Sequence, residues 1–366
     1  MMLSKQPSTT YIKCKLAIGF FSLFSCLILV LFMTDSTEDS TQIAWTDVSQ
    51  NSTHRHYCTH EETYRITSES PHLHSSCPNK NAWMQALLDE TAFLTEVTIV
   101  SIGCNTGDDF VSQMRDWSGN PRFSPVRYSR AQSKLFGAIS RSCGEISEDN
   151  PLFVSKRKIS GICVEPMPSN HKLLTTSMST MNYTDEVTVI HAAVSSVYGV
   201  VAFPNARIGT QNLGMGVTST VAWASDLPAA VSPWKSKTVD VNVMTLDSIA
   251  AARNISSIEF LSIDTEGNDM RVIIGSIRTI AANRVRYLEF EYHSVGRWAQ
   301  SDLQDLVDLL DQLNFDCYWA LNSGFLARLT RCWDDVYYRQ RGWSNVACIN
   351  REMPKTHAKM QQLSTL

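Results

Sequence analysis

The chain has little charge of either sign to spare. Its 32 lysines and arginines stand against 36 aspartates and glutamates, a formal net charge of −4 over 366 residues. That balance argues against a general nucleic-acid binder, which needs a basic surface to neutralise phosphates. The dinucleotide fingerprint G-x-G-x-x-G is missing. So is any D-x-D pair of the kind that holds a metal and a diphosphate. Long uncharged apolar runs are also missing, with one exception at Leu16–Met33. What remains is 43% hydrophobic and 19% charged, enough for one large core with appendages.

The exception predicts an anchor. Residues 16–33 are 18 residues; at about 1.5 Å each they approach the ~30 Å hydrocarbon thickness. Lys5, Lys13 and Lys15 precede the run, Asp35, Glu38 and Asp39 follow it, and no small-x-small cleavage site comes after. The positive-inside bias then leaves residues 1–15 in the cytosol and the rest in a lumen. The expectation is a single-pass type II membrane protein of the secretory pathway, with the Golgi as its address and the globular domain luminal. Residues 34–80 are polar and read as a stem. Asn51, Asn182 and Asn254 open glycosylation sequons. The eight cysteines beyond the anchor are an even number, which permits disulfides. Cys58 with Cys77 reads as a local staple, and Cys104 as a free thiol.

The globular part begins at Asn81 with an amphipathic helix whose packing residues are Trp83, Leu87, Leu88 and Phe93. Val97–Ile102 is a β-branched apolar run, the composition of a buried parallel strand. Gly103 and Gly107 then bracket a turn around Asn105, and Asp108 and Asp109 open a helix. Glycines there let a ligand approach the backbone. The acidic helix start disfavours a phosphate and suits a ligand with a positive centre. A second strand, Gly161–Val164, ends in Glu165 and Pro166, and a carboxylate there commonly binds ribose hydroxyls. A third, Val187–His191, is followed by small residues, Ala192 and Ala193, that leave room for a flat ring.

The richest stretch is Ile258–His293. An apolar strand ends in Asp264, Glu266, Gly267 and Asp269; a helix pattern follows; a second strand, Val285–Phe290, ends in Glu291 and His293. Parallel strands with a helical crossover put their carboxyl ends on one edge, where open α/β sheets do chemistry. Asp264, Glu266 and His293 therefore converge. Helix capping is the plainer reading of the two acids, and a hydrogen-bonded strand-end residue is that of His293.

These segments, IVSIGCNTGDDF, ICVEPMPSNHKLL, VIHAAVSSVYG, VNVMTLDSI, FLSIDTEGNDMRVIIGSI and YLEFEYH, occur in that order and resemble the FkbM family of S-adenosylmethionine-dependent methyltransferases. LLDQLNFDCYWA and WSNVACIN look like the family's closing strands. The resemblance implies an α/β class I methyltransferase fold, Rossmann-like and doubly wound, with a mostly parallel seven-stranded sheet. It implies S-adenosyl-L-methionine as donor and a hydroxyl oxygen as acceptor. Carried onto this chain, Ile102, Gly103, Asn105, Gly107, Glu165, Pro166, Ala193 and Asp264 contact the cofactor, and His293, Asp264 and Glu266 are catalytic. His293 is the first candidate for general base, because its free pKa lies near luminal pH. No residue is assigned to a metal, although Asp264, Glu266 and His293 together could hold a divalent ion. Asp247 is a further acid to watch, with helix capping as its equal alternative.

The domain on this reading spans residues 81–350, with a frayed tail at 351–366. Its departure from the family pattern is an insertion at about 119–160, rich in Arg and Lys and read as a solvated loop, with an acceptor-binding lid as the sharper alternative. The partner expected from the compartment is a glycan or other hydroxyl-bearing acceptor. Two rivals stand: a type II glycosyltransferase, which shares anchor and stem, and a catalytically inactive luminal binding module.

Overall fold

The computed structural model describes residues 58–62, 75–137, 157–209, 238–339 and 342–365. The anchor at 16–33, most of the stem, Asn51, the loop beyond Gly209 and the middle of the insertion lie outside those residues. Among the described residues no helix is long and apolar enough to cross a membrane.

The chain opens with α1 (Asn81–Glu90), β1 (Glu96–Ile102), α2 (Asp108–Ser118), α3 (Pro125–Phe136), β2 (Lys158–Val164), α4 (Pro168–Thr180) and β3 (Val187–Ile190). It continues through β4 (Ala193–Val194), β5 (Gly199–Pro204), β6 (Thr238–Met244), α5 (Leu246–Ala252), β7 (Phe260–Ile263), α6 (Asp269–Ile274), α7 (Ile277–Ala281) and β8 (Tyr287–Tyr292). It closes with α8 (Leu303–Gln312), β9 (Phe315–Ala320), β10 (Leu326–Arg328), α9 (Val336–Arg339), β11 (Ser344–Asn350) and α10 (Pro354–Thr365).

The main sheet has the order β10-β9-β11-β8-β7-β1-β2-β3. Strands β3, β2, β1, β7 and β8 are parallel, and β11 runs antiparallel between β8 and β9. The expected seven strands are present, and short β10 makes an eighth at one edge. A separate three-stranded sheet, β4-β6-β5, was not foreseen. Apolar side chains line both faces of the main sheet, as parallel strands covered by helices require. Trp83, Trp117, Trp298 and Trp319 are fully buried. Truncating any one to alanine is expected to cost about 3–5 kcal/mol.

Several expectations need correction. Helix α1 buries Trp83, Leu87 and Leu88, but Phe93 lies beyond its end and is 74% exposed. Cys58 pairs with Cys332 rather than Cys77, and Cys77 is itself disulfide-bonded. The segments assigned to the stem at Cys58–Glu62 and Ser75–Lys80 pack on the domain: Glu62 takes Arg328, and Asn345 donates its backbone N–H to Ser75 Oγ at 2.9 Å. Contrary to its capping reading, Asp247 does not cap α5, which Thr245 caps; it instead accepts the N–H groups of Arg278 and Thr279 in the first turn of α7, at 3.1 and 2.8 Å.

The tail is not frayed. Helix α10 starts under Glu90, whose carboxylate accepts the N–H groups of Lys355 and Thr356 at 3.0 and 2.8 Å. Thr356, Met360 and Leu363 are buried. Tertiary docking holds a helix whose own apolar pattern is weak. At its second turn His357 meets Asp316, which also accepts Arg351 Nη2 at 2.6 Å. Burial alone would raise the Asp316 carboxyl, but the bonds from His357 and Arg351 win and hold it at about 2. A depressed folded pKa contributes stability that is full above the unfolded value near 3.8 and lost as pH falls through about 2. The contribution is about 2 kcal/mol. Urea midpoints between pH 5 and pH 2 are therefore expected to fall less steeply in Asp316→Asn than in the parent; equal slopes would refute the assignment.

Candidate active site

The register of the sheet assembles the site. Ile102 on β1 is level with Val164 on β2 and Ile263 on β7, and Ile263 is level with Phe290 on β8. The next residues along these strands are Gly103, Glu165, Asp264 and Glu291. They form one row across the carboxyl edge. Four segments far apart in sequence thus meet through strand register alone.

Backbone bonds lock the row. Gly103 N–H donates to the Val164 carbonyl at 2.9 Å, and Asp264 N–H donates to the Ile102 carbonyl at 2.8 Å. Gly103 has φ +90°, and a Cβ there would overlap the Asp264 carbonyl oxygen. Only glycine lets β1 and β7 close this tightly. Cys104, expected to be free, is disulfide-linked to Cys163, which ties the turn to β2.

Glu165 is 5% exposed and accepts the N–H of Asn105 at 2.8 Å and that of Met167 at 2.9 Å. An ionised carboxylate has about four lone-pair sites, so acceptor capacity remains. Burial raises its carboxyl to about 7, with the Met167 and Asn105 bonds opposing. Asn105 Oδ1 accepts Asn170 Nδ2 at 3.0 Å, and Asn170 Oδ1 accepts the N–H of Gly209 at 2.9 Å. Pro166 offers its carbonyl to His191 at 3.0 Å. Ala193 belongs to β4, paired with Val243 of the small sheet, and lies beyond the end of β3.

The insertion is partly built into this scaffold. Helix α3 sends Tyr128 Oη and Gln132 Nε2 to the Thr106 carbonyl, at 3.0 and 2.6 Å, and so braces the Gly103–Gly107 turn. Arg122 binds Glu186 at 2.9 Å, and Arg157 donates to the Leu88 carbonyl at 2.8 Å. Arg122 and Arg157 thus tie the two described ends of the segment to the fold, while residues 138–156, on which the loop and lid readings turn, lie outside the described residues.

The other half of the row is acidic. After Asp264 the chain turns through Glu266, which takes φ 54°, and Gly267, which takes φ 103°. A Cβ on Gly267 would lie 2.5 Å from the Val295 carbonyl oxygen, so the two turns lie backbone against backbone. Asp269, fully buried, accepts the N–H groups of Thr265 and Gly267 at 3.4 and 3.2 Å. It is the acid that shapes the loop. Asp264 and Glu266 flank it at the end of β7, with Asp264 Oδ1 and Glu266 Oε2 buried and without a hydrogen-bond partner. Burial, then the charges of Glu291 and Glu266, push Asp264 well above the usual carboxylate range. Burial, then Asp269, lifts Glu266 to about 7. Burial, then Asp269 and Glu266, lifts Glu291 to about 8.

His293 is fully buried, stacked on Trp343 with ring centroids 4.8 Å apart. Its Nδ1 accepts the backbone N–H of Val295 at 3.1 Å. The neutral ring therefore carries its hydrogen on Nε2, which lies 3.9 Å from Glu291 Oε2. Burial lowers its pKa to about 4. The ring reaches the predicted place, but it faces the crevice as a donor; a general base needs a free lone pair there. Glu291, which the sequence shows only as the end of a strand, is the residue whose part was missed. The strand runs two residues further than its apolar pattern.

A parallel sheet with this order, one antiparallel strand inserted next to its last parallel strand, and an acidic carboxyl edge define a class I methyltransferase-like α/β protein. Residues 137–317 match the model of the methyltransferase FkbM domain. The matched segment holds Glu165, Asp264, Glu266, Glu291 and His293; the turn from Gly103 to Gly107 precedes it. No curated protein matches the chain. Among solved structures, the METTL16 methyltransferase domain is 9% identical over 73% of this chain and 64% of its own, with a TM-score of 0.28. The chain thus spans less than two thirds of that protein. The N-terminal domain of human METTL16 in complex with SAH is 9% identical over 73% and 67%, with a TM-score of 0.29. Precorrin-6y C5,15-methyltransferase from Geobacter metallireducens GS-15 is 8% identical over 73% and 88%, with a TM-score of 0.28. At these values the likenesses add nothing to the strand order itself.

Proposed function

We propose that this methyltransferase uses S-adenosyl-L-methionine to methylate a hydroxyl oxygen of a glycan in the lumen of the secretory pathway. The observation that carries the reading is the row of Gly103, Glu165, Asp264 and Glu291. Its residues fit the donor. Glu165 keeps lone pairs for the two ribose hydroxyls, the Gly103–Gly107 turn admits close backbone approach, and the acidic edge suits a positive sulfonium better than a phosphate. The bound donor supplies an activated methyl group for direct displacement by the acceptor oxygen. The chain's own residues position that oxygen and receive its proton. Positioning supplies much of the rate. The proton acceptors in this reading are the unpartnered carboxylate oxygens of Asp264, Glu266 and Glu291, while the His293 Nε2–H donates to the acceptor oxygen or a neighbouring carboxylate.

The compartment is inferred from covalent chemistry. Cys58–Cys332, Cys104–Cys163 and Cys317–Cys348 are disulfides, which persist in oxidising compartments. Asn182 and Asn254 of the sequons are exposed. With the anchor predicted at 16–33, these support a luminal, Golgi-type address, where glycan hydroxyls are abundant acceptors. Calorimetric titration of the full chain with S-adenosylhomocysteine is expected to give a micromolar Kd. Transfer of labelled methyl to a glycan panel should follow. A folded chain that binds no S-adenosylhomocysteine, but does bind a nucleotide-sugar with a metal, would replace this reading with the glycosyltransferase one.

A further inference from the structure

The carboxyl ends of β7 and β8 hold more buried acid than methyl transfer requires. Asp264 Oδ1, Glu266 Oε2 and Glu291 Oε2 are all buried without a hydrogen-bond partner. Three such oxygens at one strand edge are costly as carboxylates unless a proton or a cation lies among them. The Asp264 side chain is joined to that of Glu291 by a hydrogen bond, and Glu291 also bonds Trp343, so the three acids form one cluster in which a single positive charge can be shared. A second, independent group points into the same space: His293 Nε2, on a fully buried ring, is also unpartnered. One ligand atom from each of Glu266, Glu291 and His293 fits within a mutual distance of 4.8 Å.

That spacing resembles a mixed carboxylate–imidazole metal triad, but the hydrogen bonding rules the ring out as a ligand. A ligating Nε2 needs its hydrogen on Nδ1. Here Nδ1 already accepts the Val295 N–H, so the hydrogen stays on Nε2. The ring is therefore a donor to a coordinating carboxylate, the second layer that fixes ligand orientation in metal sites. The donors left are all carboxylate oxygens, the set preferred by hard divalent cations.

We propose that Asp264, Glu266 and Glu291 form an oxygen-only site for a hard divalent cation of the magnesium or manganese class, with the His293 Nε2–H as its outer partner. The loop geometry supports such a site. Glu266 takes φ 54°, and the next residue, Gly267, packs directly on the turn at Val295–Gly296. Backbone strain of this kind is kept where the surrounding structure fixes it for use. The cation would coordinate the acceptor hydroxyl and ease transfer of its proton to a carboxylate oxygen of Asp264, Glu266 or Glu291 that is left off the cation, as the methyl group forms its bond to the oxygen and leaves the sulfonium; only that role, and not the binding, rests on the methyltransferase reading.

The test is titration of the full chain with MnCl2, followed by calorimetry and by pulsed electron paramagnetic resonance. The same preparations are titrated with S-adenosylhomocysteine. One Mn(II) per chain is expected, with a Kd of roughly 10–100 μM, within the range of oxygen sites. Glu266→Gln and Glu291→Gln should each weaken it at least about tenfold, while their thermal melts stay near the parent's. The resonance should show no directly bound nitrogen. A folded parent that binds no Mn(II) at millimolar concentration overturns the proposal, as does unchanged binding in both variants. A strong nitrogen coupling overturns the oxygen-only set even if a variant fails to fold. Mn(II) binding without S-adenosylhomocysteine binding would leave the cation site standing and remove the methyltransferase reading. The converse would do the reverse.

Discussion

Alanine at position 103 is expected to cost about 3–5 kcal/mol of folding stability and to abolish binding of S-adenosylhomocysteine. Two costs combine. The left-handed φ of +90° penalises any side chain by about 1–2 kcal/mol. The larger cost is steric, because the added Cβ would fall on the Asp264 carbonyl oxygen. That oxygen belongs to the backbone and cannot swing aside. Relief requires β1 and β7 to part, which breaks the bond from Asp264 N–H to the Ile102 carbonyl. Gly137 provides the control: its φ is +86°, yet among the described residues nothing lies within 4 Å of a Cβ built there. Gly137→Ala should show the backbone penalty alone. Urea midpoints of the two variants compare the terms directly. If Gly103→Ala loses no more than Gly137→Ala, the close approach of the two strands is not what glycine is needed for.

Glu165→Ala is expected to weaken S-adenosylhomocysteine binding about 100-fold, close to 2.8 kcal/mol. On the proposed function, the substitution removes the acceptor for ribose hydroxyls. It also leaves the buried N–H groups of Asn105 and Met167 without their partner, so the turn that frames the ligand loosens. Glu165→Gln keeps an acceptor oxygen and should lie between the two. A dependence on pH separates ribose binding from plain loop support. Because the Glu165 carboxyl sits at about 7, raised mainly by burial, it is largely protonated at pH 6. If the ionised form binds, affinity should be about tenfold weaker at pH 6 than on its plateau above pH 8. For folding the same shift acts the other way: protonation in the native chain favours folding at low pH, and that advantage fades as pH rises through about 7. An affinity that is flat with pH and unchanged in Glu165→Gln would remove Glu165 from the ligand site.

The strands and the edge they build were readable because a buried parallel strand announces itself as an uninterrupted β-branched run. Val97–Ile102, Gly161–Val164 and Val187–His191 all lie where they were expected, to within three residues. The turn at Gly103 was readable for a related reason, since two glycines after such a strand have few other uses. What the sequence hides is set by partners distant along the chain. Helix α10 has no apolar stripe of its own and is fixed by Glu90. Helix α3 looks like a polar insertion because its useful face is two hydrogen-bonding side chains, Tyr128 and Gln132, aimed at one carbonyl. The disulfides depend on Cα separations, 5.8 Å for Cys104 and Cys163, that spacing in sequence cannot supply. His293 was found by position, but its role turns on which ring nitrogen meets Val295 N–H. Glu291 was passed over because charged residues usually end a strand, whereas here the strand carries it to the row.

Strand β11 has a consequence for how the molecule is made. The sheet places residues 344–350 between β8 and β9, although in chain order they follow every other strand. During vectorial synthesis β8 and β9 therefore emerge with a vacant lane between them. Both flanking edges stay unpaired, apolar and open to other chains until the last strand slides in. The disulfide from Cys317 to Cys348 latches that strand once seated. A nascent chain would depend on holdase protection over this interval, and nonsense changes near its end would release polypeptides whose row of Gly103, Glu165, Asp264 and Glu291 rests on five of the eight strands.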